Sequence, residues 1–271
     1  MKFYGLFGES LVHSHSPSLH KMIYQKIELN AAYKLFEFPQ AQLKEAIDGV
    51  RALSIKGVNV TIPYKEIVIP FLDEISPLAK KLGAVNTIEN VQGKLIGHNT
   101  DYDGFGLIFS RRNWDVNGKI AVILGSGGAS KTVEAYLIDH GIQMIYIVSR
   151  NPERFKDTKN KQYTNYEYAQ SLKGDFLINT SPVGMYPNIK ASPLSETTVQ
   201  QFDQLIDLIY NPGETTFLRL GRENNKQTAN GLDMLVGQAV RAIEIWEKCS
   251  IDEQVTKELI SEWKKRQGES L

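Results

Sequence analysis

Apolar positions in the N-terminal part of the chain fall into short runs, separated by stretches where they recur every three or four places. KFYGLFG (2–8), aromatic-rich AAYKLFEF (31–38) and β-branched GVNVTI (57–62) have the length and composition of strands. The third run is nearly continuous, as expected of a strand buried on both faces. Between the first two, SPSLHKMIYQKI brings Leu19, Met22, Ile23 and Ile27 onto one helical stripe, with Ser16 placed to cap it and Pro17 suited to its first turn. Residues 84–100, AVNTIENVQGKLIGHNT, read as a hairpin turning at Asn90–Gly93.

A second series starts at residue 119. KIAVILG, MIYIVSR, DFLINTS and QLIDLIY are four short apolar strands with helical or turn-rich sequence between them. Val133, Tyr136, Leu137 and His140 share one helical register, which stops at Gly141. Two amphipathic patterns follow, about 232–249 and 252–266. Strands alternating with helices predict an α/β protein with parallel sheets flanked by helices. Two such units predict a cleft between them, the usual place for a ligand.

Composition narrows the function classes. The 31 Lys and Arg are matched by 31 Asp and Glu, so the basic excess typical of nucleic-acid and anionic-membrane binders is missing. With 271 residues, 42% hydrophobic and 23% charged, the chain has an ordinary globular composition and length for one large or two modest domains. The opening MKFYGLFGES is too short and glycine-broken for a secretory signal, and no apolar run approaches the roughly 18 residues of a membrane span. Cys249 is the only cysteine, which rules out an internal disulfide or a multi-cysteine metal cluster. The expectation is a cytoplasmic protein acting on small molecules, with Cys249 a half-buried filler in a helical stretch.

GSGGAS (125–130) follows KIAVIL and opens a helix, the setting in which a glycine-rich string binds pyrophosphate. Gly125 permits the sharp turn and Gly127 lets the backbone approach the anion. The helix from Gly128 offers free N–H groups and the positive end of its dipole. Ser126 and Ala129 complete the loop, and Ser130 stands where a third Gly or Ala is usual. An NAD site carries Asp or Glu roughly 20 residues on. Here that place reads VSRNPERF, with Ser149, Arg150 and Arg154 and no acid before Glu153. Guanidinium groups clamp a 2′-phosphate that a carboxylate would repel, which favours NADP over NAD. The alternative for Arg150 and Arg154 is a solvated pair at a helix start. HSHSPSLH (13–20) admits three readings: metal ligands, hydroxyls around a small anion, or a plain helix start.

HSHSP, NVTIPYK (59–65), GAVNT (83–87), HNTDYDG (98–104), GSGGAS, NTSPVGM (179–185), DLIY (207–210) and NGLDMLVGQA (230–239) stand in the order and spacing of shikimate dehydrogenases, which the chain resembles over nearly its whole length. The resemblance implies NADPH-dependent reduction of 3-dehydroshikimate to shikimate, a step of chorismate and aromatic amino-acid biosynthesis. It implies a two-domain α/β enzyme. A substrate-binding domain takes residues 1–101, completed by C-terminal helices at 240–271, and a Rossmann-like NADP-binding domain takes 102–239. Helices near 102–112 and 232–247 would connect the two and hinge the cleft.

The same resemblance assigns roles. Lys65 is the catalytic lysine, stabilising the growing alkoxide and giving it a proton, and Asp101 is its carboxylate partner. Ser14 and Ser16 hold the substrate carboxylate at a helix N-terminus, where an anion is welcome. Asn59, Thr61, Asn86, Tyr210 and Gln238 meet the ring hydroxyls. Thr180, Leu208 and Gly231 join Gly125, Ser126, Gly127, Gly128, Ala129, Ser149, Arg150 and Arg154 on the cofactor side. No metal is implied, and His13 and His20 become structural or rim residues. The expected partners are the small substrate and NADP, with no nucleic acid or membrane, in a monomer or homodimer. Two departures stand out: Ser149 where Asn is commoner, and no proline near position 10. Three rivals share much of this pattern. A quinate/shikimate dehydrogenase has broader ring or cofactor use, and a non-catalytic NADP sensor would bind without turnover. A methylene-tetrahydrofolate-type dehydrogenase would not require the Ser14/Ser16 and Asn86/Asp101 set.

Overall fold

The computed structural model describes residues 1–12 and 14–266. They form two compact units, one made of Met1–Gly104 with the described part of Val236–Leu271, the other of Phe105–Leu235. The sheet of the first unit contains β1 (Lys2–Gly8), β2 (Ala31–Glu37), β3 (Gly57–Val60), β4 (Glu74–Ile75), β5 (Thr87–Val91) and β6 (Lys94–His98), in the order β2-β1-β3-β5-β6-β4. Strands β2, β1 and β3 are parallel, linked through α1 (Ser16–Lys26) and α2 (Leu43–Ala52). The expected hairpin is β5–β6, and it pairs antiparallel onto β3. Gln92 (φ 54°) and Gly93 (φ 93°) both take left-handed conformations, as a two-residue hairpin turn requires, so this sheet is mixed. Ile47 and Val50 of α2, Val58 and Val60 of β3 and Ile88 of β5 share one core with Tyr64, the first residue of α3 (Tyr64–Ile67). The short α4 (Pro77–Leu82) is capped by the Ser76 hydroxyl, which accepts the Ala79 N–H at 3.2 Å.

The start of α1 differs from the expectation. His15 holds the cap position, Ser16 is already helical, and no side chain caps the helix. Pro17 lies in the first turn and has no N–H to cap, while the Ser16 N–H is taken from upstream by Ser14 Oγ at 3.3 Å. The hydroxyl of Ser16 is thereby released from capping.

Helix α5 (Asp101–Ser110) carries the chain out of the first unit. The second unit holds β7 (Ile120–Leu124), β8 (Met144–Val148), β9 (Lys161–Thr164), β10 (Gly174–Asn179), β11 (Phe202–Asp207) and β12 (Gln227–Ala229), with α6 (Gly128–Asp139), α7 (Tyr166–Ala169), α8 (Glu196–Val199) and α9 (Thr216–Glu223). Every pairing is parallel, and the order is β12-β11-β10-β7-β8-β9. Counted from β7, this is the doubly wound order of dinucleotide-binding sheets, with its switch point between β7 and β10. Val122, Leu124, Leu177, Phe202, Leu205 and Phe217 lie in its core. At the far end of α5, Arg111 and Arg112 both pair with Asp233, which is only 2% exposed in the first turn of α10 (Leu232–Glu247).

Helix α10 brings the chain back to the first unit, where Trp246 Nε1 donates to the Ile88 carbonyl at 2.9 Å. It stops at Glu247, because Lys248 adopts φ 52°. Cys249 therefore lies past the helix and is exposed, not a half-buried filler. Helix α11 (Glu253–Arg266) follows. No helix among the described residues is long and apolar enough to cross a membrane.

Candidate active site

Lys65 stands on α3, just beyond the end of β3. The Thr61 N–H donates to the Phe7 carbonyl at 2.9 Å, and the Val85 N–H donates to the Lys65 carbonyl at 2.8 Å, which pins the backbone on both sides. Tyr64 turns into the core and donates its hydroxyl to the Phe38 carbonyl. Its neighbour consequently faces the other way, and Lys65 Nζ donates to Asp101 Oδ2 at 2.7 Å. The side chains are 30% and 10% exposed, so the ammonium keeps an open side while the carboxylate is largely enclosed. Asp101 opens α5, where the positive end of the helix dipole favours a carboxylate. Its N–H donates to Asn99 Oδ1 at 3.1 Å, and Asn99 Nδ2 donates to the Ala84 carbonyl at 3.1 Å.

Beside this pair lies a set of amides and hydroxyls with matched donors and acceptors. Asn86 Oδ1 accepts the Thr100 N–H at 2.7 Å and Asn86 Nδ2 donates to Thr100 Oγ1 at 3.1 Å. Asn59 Nδ2 donates to Thr87 Oγ1 at 3.0 Å and to the Asn86 carbonyl at 3.3 Å. Asn59 Oδ1 accepts the hydroxyl of Tyr33 at 2.8 Å. Tyr33 was not among the sequence candidates, because one aromatic residue in the run AAYKLFEF looks like any core ring. Burial holds that phenol's pKa well above the usual range, and the Ser16 side chain is an electrostatic neighbour that partly offsets it. Thr61 turns its methyl toward Gly8, where an added Cβ would come within 2.9 Å. Gln238 is half-buried on α10, in the same unit.

His20 is 2% exposed, and burial pulls its pKa down to about 4, so its ring is neutral at physiological pH. Nδ1 lies 2.9 Å from the Ser16 carbonyl, and the ring stacks on Tyr33 at 3.9 Å. This is the structural role expected of it; His13 lies outside the described residues. Among the described residues, no three His, Cys, Asp or Glu side chains gather as metal ligands.

In the second unit the strand ends at the switch point converge. Gly125 (φ 114°) donates its N–H to the Val148 carbonyl at 2.9 Å, and an added Cβ would lie 2.9 Å from Thr180 Oγ1. Thr180 itself is tied to the Leu124 carbonyl by both its N–H and its hydroxyl, each at 3.0 Å. Gly127 and Gly128 are different: a Cβ on either would meet nothing within 4 Å. The protein's own packing does not demand those glycines; bare backbone at an uncapped helix N-terminus fits an approaching pyrophosphate. Ala129 is exposed on the same first turn.

Ser126 donates to Ser149 Oγ at 3.1 Å, and Ser149 also accepts the Asn151 N–H at 3.2 Å, which joins the glycine loop to the end of β8. Arg150 and Arg154 follow, both exposed and neither paired with an acid among the described residues. On the other side of the switch point, the Leu208 N–H donates to the Asn179 carbonyl at 3.0 Å. Gly231 packs so tightly that an added Cβ would stand 2.0 Å from the Leu208 carbonyl oxygen. Half-buried Tyr210 comes two residues later than Leu208. Asp207, another residue absent from the sequence candidates, accepts from Asn179 Nδ2 (3.0 Å), the Ile209 N–H (3.0 Å) and the Thr215 hydroxyl (2.7 Å). Burial raises its pKa to about 6.

Comparison with known proteins identifies the family. Residues 6–88 match the family model described as the shikimate dehydrogenase substrate binding domain. A relative from Clostridium beijerinckii, named shikimate dehydrogenase (NADP(+)), is 48% identical over 263 residues, covering 96% of this chain and 97% of that one. The crystal structure of shikimate dehydrogenase 1 from Peptoclostridium difficile superposes with a TM-score of 0.91 at 46% identity, over 98% of this chain and 99% of that one. A shikimate 5-dehydrogenase from Thermus thermophilus, solved in complex with NADP(H) and shikimate, gives 0.86 at 29% identity, covering 97% of this chain and 99% of that one.

Proposed function

The chain belongs to the shikimate dehydrogenase family, and from that premise we propose that Lys65 and Asp101 carry its reaction, the NADP-dependent interconversion of 3-dehydroshikimate and shikimate. The observation that supports this reading most directly is the 2.7 Å contact between an ammonium with one open side and an enclosed carboxylate. When the ring ketone is reduced, negative charge grows on its oxygen; the Lys65 ammonium stabilises that charge and gives up a proton to it. Asp101 holds the ammonium in position and accepts from a ring hydroxyl. Bound NADPH supplies the hydride.

Ser14 and Ser16 hold the substrate carboxylate; Ser16 is already inside the helix, so its hydroxyl does not serve as the cap. Asn59, Thr61 and Asn86 face the ring hydroxyls, with Tyr210 and Gln238 as further contacts. Sites built from satisfied polar groups reject an analogue lacking one hydroxyl, because a buried partner is then left unpaired. Gly125, Ser126, Gly127, Gly128 and Ala129 hold the pyrophosphate. Ser149, Arg150 and Arg154 take the 2′-phosphate end, and Thr180, Leu208 and Gly231 line the rest of the cofactor's path. The substrate-binding role falls to the first unit and the cofactor-binding role to the second.

The test is an absorbance assay of shikimate oxidation at alkaline pH, run beside quinate and with NADP and NAD each. Shikimate with NADP is expected to give the highest kcat/KM. A preference for quinate or for NAD overturns the corresponding half of the assignment.

A further inference from the structure

We infer that Tyr33 is a positioning residue for the substrate: its hydroxyl fixes which end of the Asn59 amide is offered to the ligand. This rests on the reading of Asn59 as a substrate contact. An asparagine amide can present either its oxygen or its nitrogen, and the hydrogen bonds around it decide which. Asn59 donates from Nδ2 to Thr87 Oγ1 and to the Asn86 carbonyl, so its Oδ1 must be the end toward Tyr33. An amide oxygen only accepts; the Tyr33 proton is therefore committed to it, at 2.8 Å.

The phenol oxygen then has only acceptor capacity left. The same proton order continues through Asn59 to Thr87, whose hydroxyl donates to Asn86 Oδ1 at 3.1 Å. One phenol thus sets the donor order of a chain that reaches Asn86.

The ring is held for that task. Tyr33 lies on β2 and Asn59 on β3, with β1 between them, so the hydroxyl reaches across a whole strand. His20 stacks on the ring with an interplanar angle of 22° and bonds the Ser16 carbonyl from Nδ1. A phenylalanine would fill the space and keep the stack equally well. The hydroxyl itself is needed only for the Asn59 contact it orients.

Steady-state kinetics of Tyr33→Phe, Asn59→Ala and the double variant test this. Tyr33→Phe is expected to raise KM for shikimate about three- to tenfold, the scale of one neutral hydrogen bond, with kcat changed by less than about twofold and KM for NADP unchanged. The double variant is expected to match Asn59→Ala alone, since Tyr33 acts largely through that amide. A wild-type shikimate KM in Tyr33→Phe, full additivity in the double variant, or a parallel rise in KM for NADP overturns the inference. If Asn59→Ala itself leaves KM for shikimate unchanged, the assignment of Asn59 fails, and the inference with it.

Discussion

Under the proposed mechanism, removing the Lys65 ammonium leaves the developing alkoxide with neither a charge partner nor a proton donor, and it leaves Asp101 without its 2.7 Å contact. Turnover by Lys65→Ala is expected to fall roughly 10²–10⁴-fold, the range for a lost general acid. Because that side chain is partly exposed and outside the core, circular dichroism should stay that of the wild type. Wild-type kcat in this variant would end the mechanism. His20 governs a different observable. Its pKa is 6.5 in the unfolded chain and about 4 when buried, so between those values the unfolded state binds more protons. The stability it contributes is full above pH 6.5 and drains away as pH falls toward 4, by about 3 kcal/mol at most. Asp207 works in the opposite direction: its pKa rises from 3.8 to about 6 on folding, which adds stability as pH falls through that window. Urea unfolding of His20→Gln against wild type, at pH 7.5 and 4.5, separates the two. The variant should lose less stability on acidification, and an equal loss would contradict the burial argument. At this scale the sequence showed Lys65 and Asp101 through their neighbours in NVTIPYK and HNTD. It did not show Tyr33 or Asp207, whose importance lies in partners that are distant along the chain.

Among the elements, glycines divide into those the protein's own packing requires and those it does not. Gly231→Ala would push a methyl to 2.0 Å from the Leu208 carbonyl, which is rigid backbone, and should destabilise the fold by about 1–3 kcal/mol. Gly128→Ala meets open space at the start of α6, so thermal unfolding should be unchanged or slightly higher, by up to about 1 kcal/mol from helix propensity. Yet KM for NADP should rise, since the methyl enters the space assigned to the pyrophosphate; an unchanged KM would detach that loop from the cofactor. The apolar runs marked β1, β2, β3, β7, β8, β10 and β11 and the hairpin, because each buries a continuous or alternating face. They missed β4, β9 and β12. These are EI, KQYT and QTA, short edge strands that bury little and carry no periodic signal. The start of α1 was misplaced by one residue, because a serine beside a proline reads as a cap and only the backbone shows Ser14 in use instead.

The described residues form two compact units on one chain, and ligand linkage should register in each separately. Shikimate at roughly a hundred times its Kd adds about 2.7 kcal/mol to whichever core holds it. Hydrogen exchange should therefore slow in β3, β5 and α3 with shikimate, and around β7, β8 and the start of α6 with NADP. Protection by shikimate confined to β7 and β8 would contradict the division of roles. Two strand series were legible in the sequence. That the last helices return to the first series came only from the family resemblance, since periodicity shows the face a helix buries and never the partner it meets.

That return has a consequence for synthesis. The stretch up to Gly104 leaves a ribosome well before Trp246, whose indole occupies the space above Gly57 and bonds the Ile88 carbonyl. Until it arrives, β3 has an uncovered flank. The six strands of the second unit, by contrast, come from one unbroken segment and can condense as soon as they emerge. The nascent chain thus finishes its middle before its beginning, and it is the early-made half that has longest to wait for a chaperone or for its own tail.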